Sequence, residues 1–170
     1  MRTWKLAATG VFLGALGAPG LASADEVLFN NPGDHPSYRF EIEPHVLLGF
    51  GGPFRLGHAE LGGGLRGTVV LLDNGFIRTI NNSVGVTFGG DVFFCGATVF
   101  LPVAMQWNFW LTNHFSVFAE PGLGLTLNNY WDRDSLHPIL SIGGRYHFTD
   151  HIALTVRAGY PALSIGASFF

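Results

Sequence analysis

The stretch LTNHFSVFAEPG, Leu111 to Gly122, is written again thirty-seven positions later as FTDHIALTVRAG, Phe148 to Gly159. Each copy runs an apolar residue, Thr, a short amide or carboxylate side chain, and His. Large residues then alternate with small or polar ones as far as a Gly. Period-two alternation marks a strand with two unlike faces. The residues ahead of it suit a tight turn, with Asn113 and Asp150 supplying the turn chemistry. A chain that repeats turn and strand together is built from hairpins.

The same period extends outward from the two copies, in runs bounded by Gly, Asn, Asp and Pro. Eight strands are expected: Tyr38–Phe50, Leu56–Leu71, Ser83–Val92, Thr98–Leu111, one starting at Phe115, Leu136–Phe148, one starting at Ile152, and Leu163–Phe170 after a tight GYPA turn. The longest apolar row is Val99, Leu101, Val103, Met105, Trp107, Phe109 and Leu111. With each strand's phase set by its apolar residues, nine charges fall on the opposite face. They are Arg39, Glu41, Glu43, Glu60, Arg66, Asp91, Glu120, Arg145 and Arg157.

Volume decides which face points inward. An eight-stranded barrel has an interior just wide enough to be filled by side chains, and the bulky rows are too large for it. The charged face is rich in Gly, as at Gly62, Gly64, Gly85, Gly89 and Gly143, and suits a crowded lumen. The bulky rows must then meet an apolar surrounding. In lipid every backbone N–H and C=O must be paired within the protein, so the β solution is a closed barrel. The expected fold is all-β, an eight-stranded antiparallel up-and-down transmembrane β-barrel. A soluble lipocalin-like barrel is the architectural rival, and it would place its charge outside.

Composition agrees. Only 12% of the 170 residues are charged and 48% are hydrophobic, whereas a water-soluble surface carries ~25–35% charged residues. Arg2 and Lys5, the broken apolar run Leu6–Leu21 and the small-residue LASA at Leu21–Ala24 form the three parts of a secretory signal. Cleavage after Ala24 would leave 146 residues: a lead-in at 25–37 and the barrel at 38–170. Seven arginines against twelve acids then give a net charge of −5, which offers nucleic acid no electrostatic foothold. Cys95 is the lone cysteine, so no internal disulfide forms.

With the signal, the period-two strands, the T-[ND]-H turns and the terminal Phe170 on the page, the chain resembles small eight-stranded outer-membrane barrels of Gram-negative bacteria. This is the class of the opacity proteins and the membrane domain of outer-membrane protein A. By DNGFIRTINN, Asp73 to Asn82, it also looks like a subgroup of such barrels whose activity is uncharacterised. The resemblance implies an integral outer-membrane location, contact with outer-membrane lipid, and insertion by the barrel-assembly machinery through the C-terminal strand. It also implies tight turns and termini on the periplasmic side, with Cys95 and Tyr130–Trp131 outside. Trp107, Phe109, Trp110, Phe115, Tyr146 and Phe148 would form a periplasmic aromatic girdle. Two features depart from the class. Phe170 is out of phase with the final apolar row Leu163, Ile165, Ala167 and Phe169. Pro44, Pro102, Pro121 and Pro138 fall within strands, where they require bulges or strand ends.

For chemistry, the nine charges of the inner face predict a paired polar plug, because unpaired charge in a narrow lumen is costly. Glu120 and Arg157 hold matching places in the two copies, and Arg145 lies on the intervening strand; a Glu120–Arg145–Arg157 cluster is expected. His114, Ser116 and Glu120 offer the residue types of a hydrolase, yet the second copy has Ala153 in place of Ser116. His147 and His151 flank one turn and could pair across it, without a third metal ligand. No cofactor, metal or nucleotide motif is present, and ELGGGLRG lies in a strand with no helix after it. The function expected is a filled, non-enzymatic barrel with a structural or surface-interaction role. A narrow porin-like channel or transporter for small or apolar solutes is the alternative, and an outer-membrane lipid-modifying enzyme the third. The outer-loop partner is left open.

Overall fold

The computed structural model describes residues 26–49, 60–94, 98–128 and 135–170. The expected signal, the end of the first expected strand at Phe50 and the start of the second at Leu56, Cys95 and Tyr130–Trp131 lie outside them. The described residues form eight strands: β1 Phe40–Gly49, β2 Glu60–Leu72, β3 Asn82–Phe93, β4 Thr98–Trp110, β5 Phe115–Asn128, β6 Ser135–Thr149, β7 Ile152–Gly159 and β8 Ala162–Phe169. Each pairs antiparallel with its sequence neighbours, and β1 pairs with β8 to close the barrel. Connections 73–81, 111–114 and 150–151 lie at one end, here the turn end; the described connection 160–161 between β7 and β8 lies at the opposite end, here the loop end.

The two faces separate cleanly. On β1, Glu41, Glu43, His45 and Leu47 are buried, while Phe40, Ile42, Val46 and Leu48 are exposed. Away from the turn-end residues Asn82 and Thr149, the outward phase of all eight strands carries only aliphatic and aromatic residues, Met, Gly and Pro. Seven of the nine predicted inner charges point inward and are buried; two do not. Arg39 precedes β1 and is exposed, because the chain bends there before the ladder begins. Glu60 keeps the inward phase but opens β2 at the rim and is half-buried.

Glycine on the inner face makes room for specific neighbours. A Cβ on Gly64 would collide with Asp91 Oδ1 and crowd His45 Nε2, and one on Gly143 would strike the Phe118 ring. Large side chains therefore share the narrow lumen with bare backbone on the facing strands.

The strand prolines are accommodated without bulges. The β1–β8 ladder runs Ile42↔Phe169 and resumes at His45↔Gly166, skipping the pairs around Pro44. The β3–β4 ladder skips from Phe88↔Val103 to Asp91↔Phe100 around Pro102, and β4–β5 from Ala104↔Gly122 to Trp107↔Ala119 around Pro121. Each proline interrupts one ladder, as its missing N–H requires, and keeps its partner on the other side, as in Pro44↔Leu65. Pro138 lies where β6 runs past the end of β7. The register shifts fall elsewhere, at Val70/Leu72 and His147/Thr149.

The repeated turn has one mechanism. Thr112 Oγ1 accepts from the backbone N–H of His114 at 3.2 Å and of Phe115 at 3.0 Å. Thr149 Oγ1 does the same for His151 at 3.2 Å and Ile152 at 3.1 Å. Threonine, rather than Asn113 or Asp150, makes the turn bonds, because its hydroxyl reaches the N–H groups two and three residues on. Thr112→Val and Thr149→Val are each expected to lower stability by about 1 kcal/mol, the net worth of such bonds. Urea midpoints would show it; a shift in only one variant would break the equivalence of the two turns.

Candidate functional site

The lumen is stratified. Toward the loop end lies an apolar layer: Leu47, Phe93, Phe100, Ala104 and Ile139 pack together, with Tyr160 and Ala162 against them and the His137 ring stacked on Phe100. The sequence expectation of a wholly polar plug missed this layer. Its signal was present in Phe93 and Phe100, aromatics standing on the small-residue phase of β3 and β4.

The middle layer is a closed ring of ionisable side chains. Arg157 Nη1 and Nη2 donate to the two Glu43 carboxylate oxygens at 2.7 and 2.9 Å. Its Nε donates to Glu120 Oε2 at 2.8 Å. Arg66 Nη1 lies 3.7 Å from that same oxygen, and Arg66 Nη2 donates to Asp91 Oδ2 at 2.9 Å. Asp91 Oδ1 is 2.8 Å from His45 Nε2, and His45 Nδ1 is 3.8 Å from Glu43 Oε1, which completes the circuit. Gln106 Nε2 donates to Glu120 Oε1 at 2.8 Å. Strands β1, β2, β3, β4, β5 and β7 thus meet through side chains at one level.

Glu120 and Arg157, at equivalent places in the two sequence copies, bind each other. Arg145 does not join them. It reaches across the lumen to Glu41, with Nη2 at 2.8 and 2.9 Å from the two carboxylate oxygens. The Phe118 ring divides the two sites, with the Arg145 guanidinium 4.5 Å and that of Arg157 5.1 Å from its centroid. An aromatic face attracts both cations and keeps them in separate pairs. The expected triad therefore resolves into two units.

Below the ions, the turn end is closed by rings. Trp110 is 0% exposed. His35 stacks on it at 5.1 Å, Tyr38 meets it edge-on at 6.4 Å, and His147 lies 4.7 Å away. Phe170 contacts Tyr38 at 4.3 Å and His147 at 5.4 Å. Trp110 was expected in the outer girdle; the even-numbered phase of β4, shared with Gln106 and Asn108, turns it inward. Phe170 is out of phase for the same reason: Phe169 takes the outward place and Phe170 turns into the barrel mouth. Burial raises the pKa of the Tyr38 phenol, against the opposing pull of Arg145, so the ring stays neutral.

A strap ahead of β1 lies over these rings. Val27 bridges to Thr112, Leu28 N–H donates to the Leu111 carbonyl at 3.0 Å, and Leu28 is buried. Asn81 holds the strap through its N–H to the Phe29 carbonyl at 2.8 Å and its Nδ2 to the Asp34 carbonyl at 2.8 Å. Asn82 fills the neighbouring turn, with Nδ2 donating to the carbonyls of Ile77 and Ile80 and Oδ1 accepting from Trp107 Nε1. A Cβ on Gly75 would overlap that Oδ1. DNGFIRTINN is thus a turn packed around Asn82, with the preceding Asn81 clasping the strap.

The other candidates are placed as follows. Trp107, Phe109, Phe115, Tyr146 and Phe148 face outward near the turn end; Trp107 is 4.8 Å from Phe109 and 5.7 Å from Phe76, and Tyr146 5.3 Å from Phe148. Ser116 Oγ is 3.1 Å from His147 Nε2, both buried, while His147 Nδ1 has no hydrogen-bond partner. His114 is exposed at its turn, and Glu120 is committed to Arg157 and Gln106, so the hydrolase-like set is dispersed. His147 and His151 do not meet: one points into the lumen and the other stays on the exposed turn.

The barrel is similar to a solved de novo designed transmembrane β-barrel at a TM-score of 0.50 and 14% identity, covering 83% of this chain and 98% of the designed one. The fold is that of a small transmembrane β-barrel. Weaker likenesses are to Ail, the attachment invasion locus protein of Yersinia pestis. In complex with the heparin analogue sucrose octasulfate it matches at a TM-score of 0.47 and 12% identity, over 77% of this chain and 97% of Ail. In a phospholipid bilayer nanodisc it matches at 0.49 and 10%, over 78% and 99%. No protein-family model and no curated protein matches the sequence. These likenesses concern the fold and do not single out the opacity-protein and outer-membrane protein A group.

Proposed function

We propose that the chain, freed of residues 1–24, is an integral outer-membrane β-barrel with a sealed lumen, serving a structural or surface-interaction role. One observation carries the membrane reading: the described strands carry no charge on their outward phase, while seven charged side chains are buried inside. A soluble barrel would invert that arrangement. Trp107, Phe109, Phe115, Tyr146 and Phe148 then serve as the interfacial girdle. The sealed reading is supported by three successive fillings, apolar, ionic and aromatic, and by the strap over the last. Barrel-assembly machinery and outer-membrane lipid are the proposed contacts.

Fractionation followed by electrophoresis with and without boiling tests location and fold together. The expected result is membrane-bound protein whose unboiled band migrates apart from the boiled one. Planar bilayers are expected to show no stepwise conductance. Protein that stays dissolved and monomeric without detergent overturns the membrane reading, and regular conductance steps replace the sealed barrel with a channel. Lipid changes in cells that vanish with Ser116→Ala would install the enzyme reading instead.

A further inference from the structure

Nine residues, 73–81, join β2 to β3, where four and two suffice at the other connections of the turn end. The extra length does not hang free of the barrel. On the outward phase of β3, Asn82 and Val84 are 1% and 4% exposed, whereas Phe88 and Val92 on the same face are 44% and 43% exposed. The connection covers the first two. Gly75 N–H donates to the Asn82 carbonyl at 2.7 Å, and a Cβ on Gly75 would stand 3.2 Å from Val84 Cγ2. The Phe76 ring meets the outward Trp107 edge-on at 5.7 Å. The chain therefore folds back over the outer wall, at the level of the aromatic girdle.

What this elbow presents is apolar with one cation. Phe76 and Ile77 are 58% and 40% exposed, and exposed Leu71 and Leu72 lead into them; such side chains gain by leaving water. The backbone suits the same surrounding. Asn82 Nδ2 donates to the carbonyls of Ile77 and Ile80 at 2.6 and 2.8 Å, occupying acceptors that lipid cannot serve. Arg78 follows Ile77, is exposed, and has no ion-pair partner among the described residues, while Arg66, Arg145 and Arg157 are buried in the lumen. A long cationic side chain beside lipid-facing residues reaches out to the headgroups, where phosphate accepts its N–H groups. We propose that the β2–β3 connection is a lipid-binding elbow. Phe76 and Ile77 enter the turn-end leaflet at the boundary of headgroup and acyl chain, and the Arg78 guanidinium takes a phospholipid phosphate. The elbow rests on the membrane reading and goes beyond it, since spanning the bilayer asks only for a tight turn there.

The test uses the refolded mature barrel in vesicles of phosphatidylcholine and phosphatidylglycerol. Cys95→Ser is combined with one environment-sensitive fluorophore, attached through Phe76→Cys, Ile142→Cys or Asp150→Cys. Lipids spin-labelled beside the headgroup or deep in the acyl chain quench it according to depth. The label at position 76 is expected to lose more emission to the shallow quencher than to the deep one. The label at 142, on the outer wall, is expected to do the reverse, and the one at 150, on an exposed turn, to lose little to either. Ile77→Cys, which leaves the Trp107 contact in place, repeats the reading beside it. A label at 76 that behaves like the one at 150, with 142 quenched, overturns the elbow and leaves the membrane reading standing. A label at 142 that neither quencher reaches overturns both. With the fluorophore at 76, Arg78→Glu is expected to shift the emission to the red and to lose most of the shallow quenching, while Arg78→Lys keeps it. Equal quenching in those two variants overturns the phosphate contact.

Discussion

Arg157→Leu is expected to destabilise the barrel by about 3–5 kcal/mol, the range for removing one partner of a buried ion pair. Arg157 makes four charge-assisted bonds, two to Glu43 and two to Glu120. Truncating it leaves two carboxylates facing each other with little water to solvate them. Urea unfolding in vesicles, or the temperature at which the unboiled band is lost, measures the cost. Glu120→Gln is expected to cost less, because an amide oxygen in place of Oε1 still accepts from Gln106 and Arg157 Nη2 and only the Arg157 Nε bond is lost, though unchanged heat resistance would count against the ring. The triple change Glu43→Gln, Glu120→Gln, Arg157→Met is expected to recover most of the single-variant loss, since the penalty comes from unmatched charge more than from a net gain in the pairs. An Arg157→Leu barrel with a wild-type midpoint would show that water or a mobile ion reaches the ring, and the sealed lumen would be wrong.

Period two alone carried strand number, order and facing, because the side-chain period of a strand leaves no intermediate orientation. The same parity placed Glu41, Glu43, Arg66, Asp91, Glu120, Arg145 and Arg157 inside. Partner choice was not legible. Arg145 and Arg157 look equivalent along the sequence; what divides them is Phe118, an aromatic on the small face whose position between two guanidiniums depends on the stagger of β5, β6 and β7. Trp110 was misplaced by proximity to the girdle, although its even number already put it with Gln106 and Asn108. The strap was unreadable for a different reason. Its hold on Asn81 and Trp110 is made of backbone bonds and ring stacking between segments far apart in sequence, which no local pattern encodes. Thr112 and Thr149, by contrast, stood in both copies of the opening repeat and were passed over for the more familiar turn residues beside them.

Ile142→Arg is expected to lower stability by about 2–4 kcal/mol, the cost of a lipid-facing arginine near the midplane of a transmembrane barrel. Ile142 is 61% exposed and stands on β6 between Ala119 and Ala158, level with the ionic ring on the other side of the wall. The two alanines give it no packing to lose, so the change isolates the surrounding medium. In water the same substitution would be close to neutral, as surface changes away from special features are. The pair Ile142→Arg and Ile142→Leu, unfolded by urea from vesicles, separates the two media: the arginine variant is expected to unfold well before the leucine one, and to assemble poorly. A companion at the turn end, Phe148→Arg, is expected to cost only about 0–1 kcal/mol, since the penalty falls toward the interface where the guanidinium reaches water. A flat profile, with Ile142→Arg as stable as wild type, would place water against the outer face, and the apolar rows would then need a protein partner rather than a bilayer to cover them.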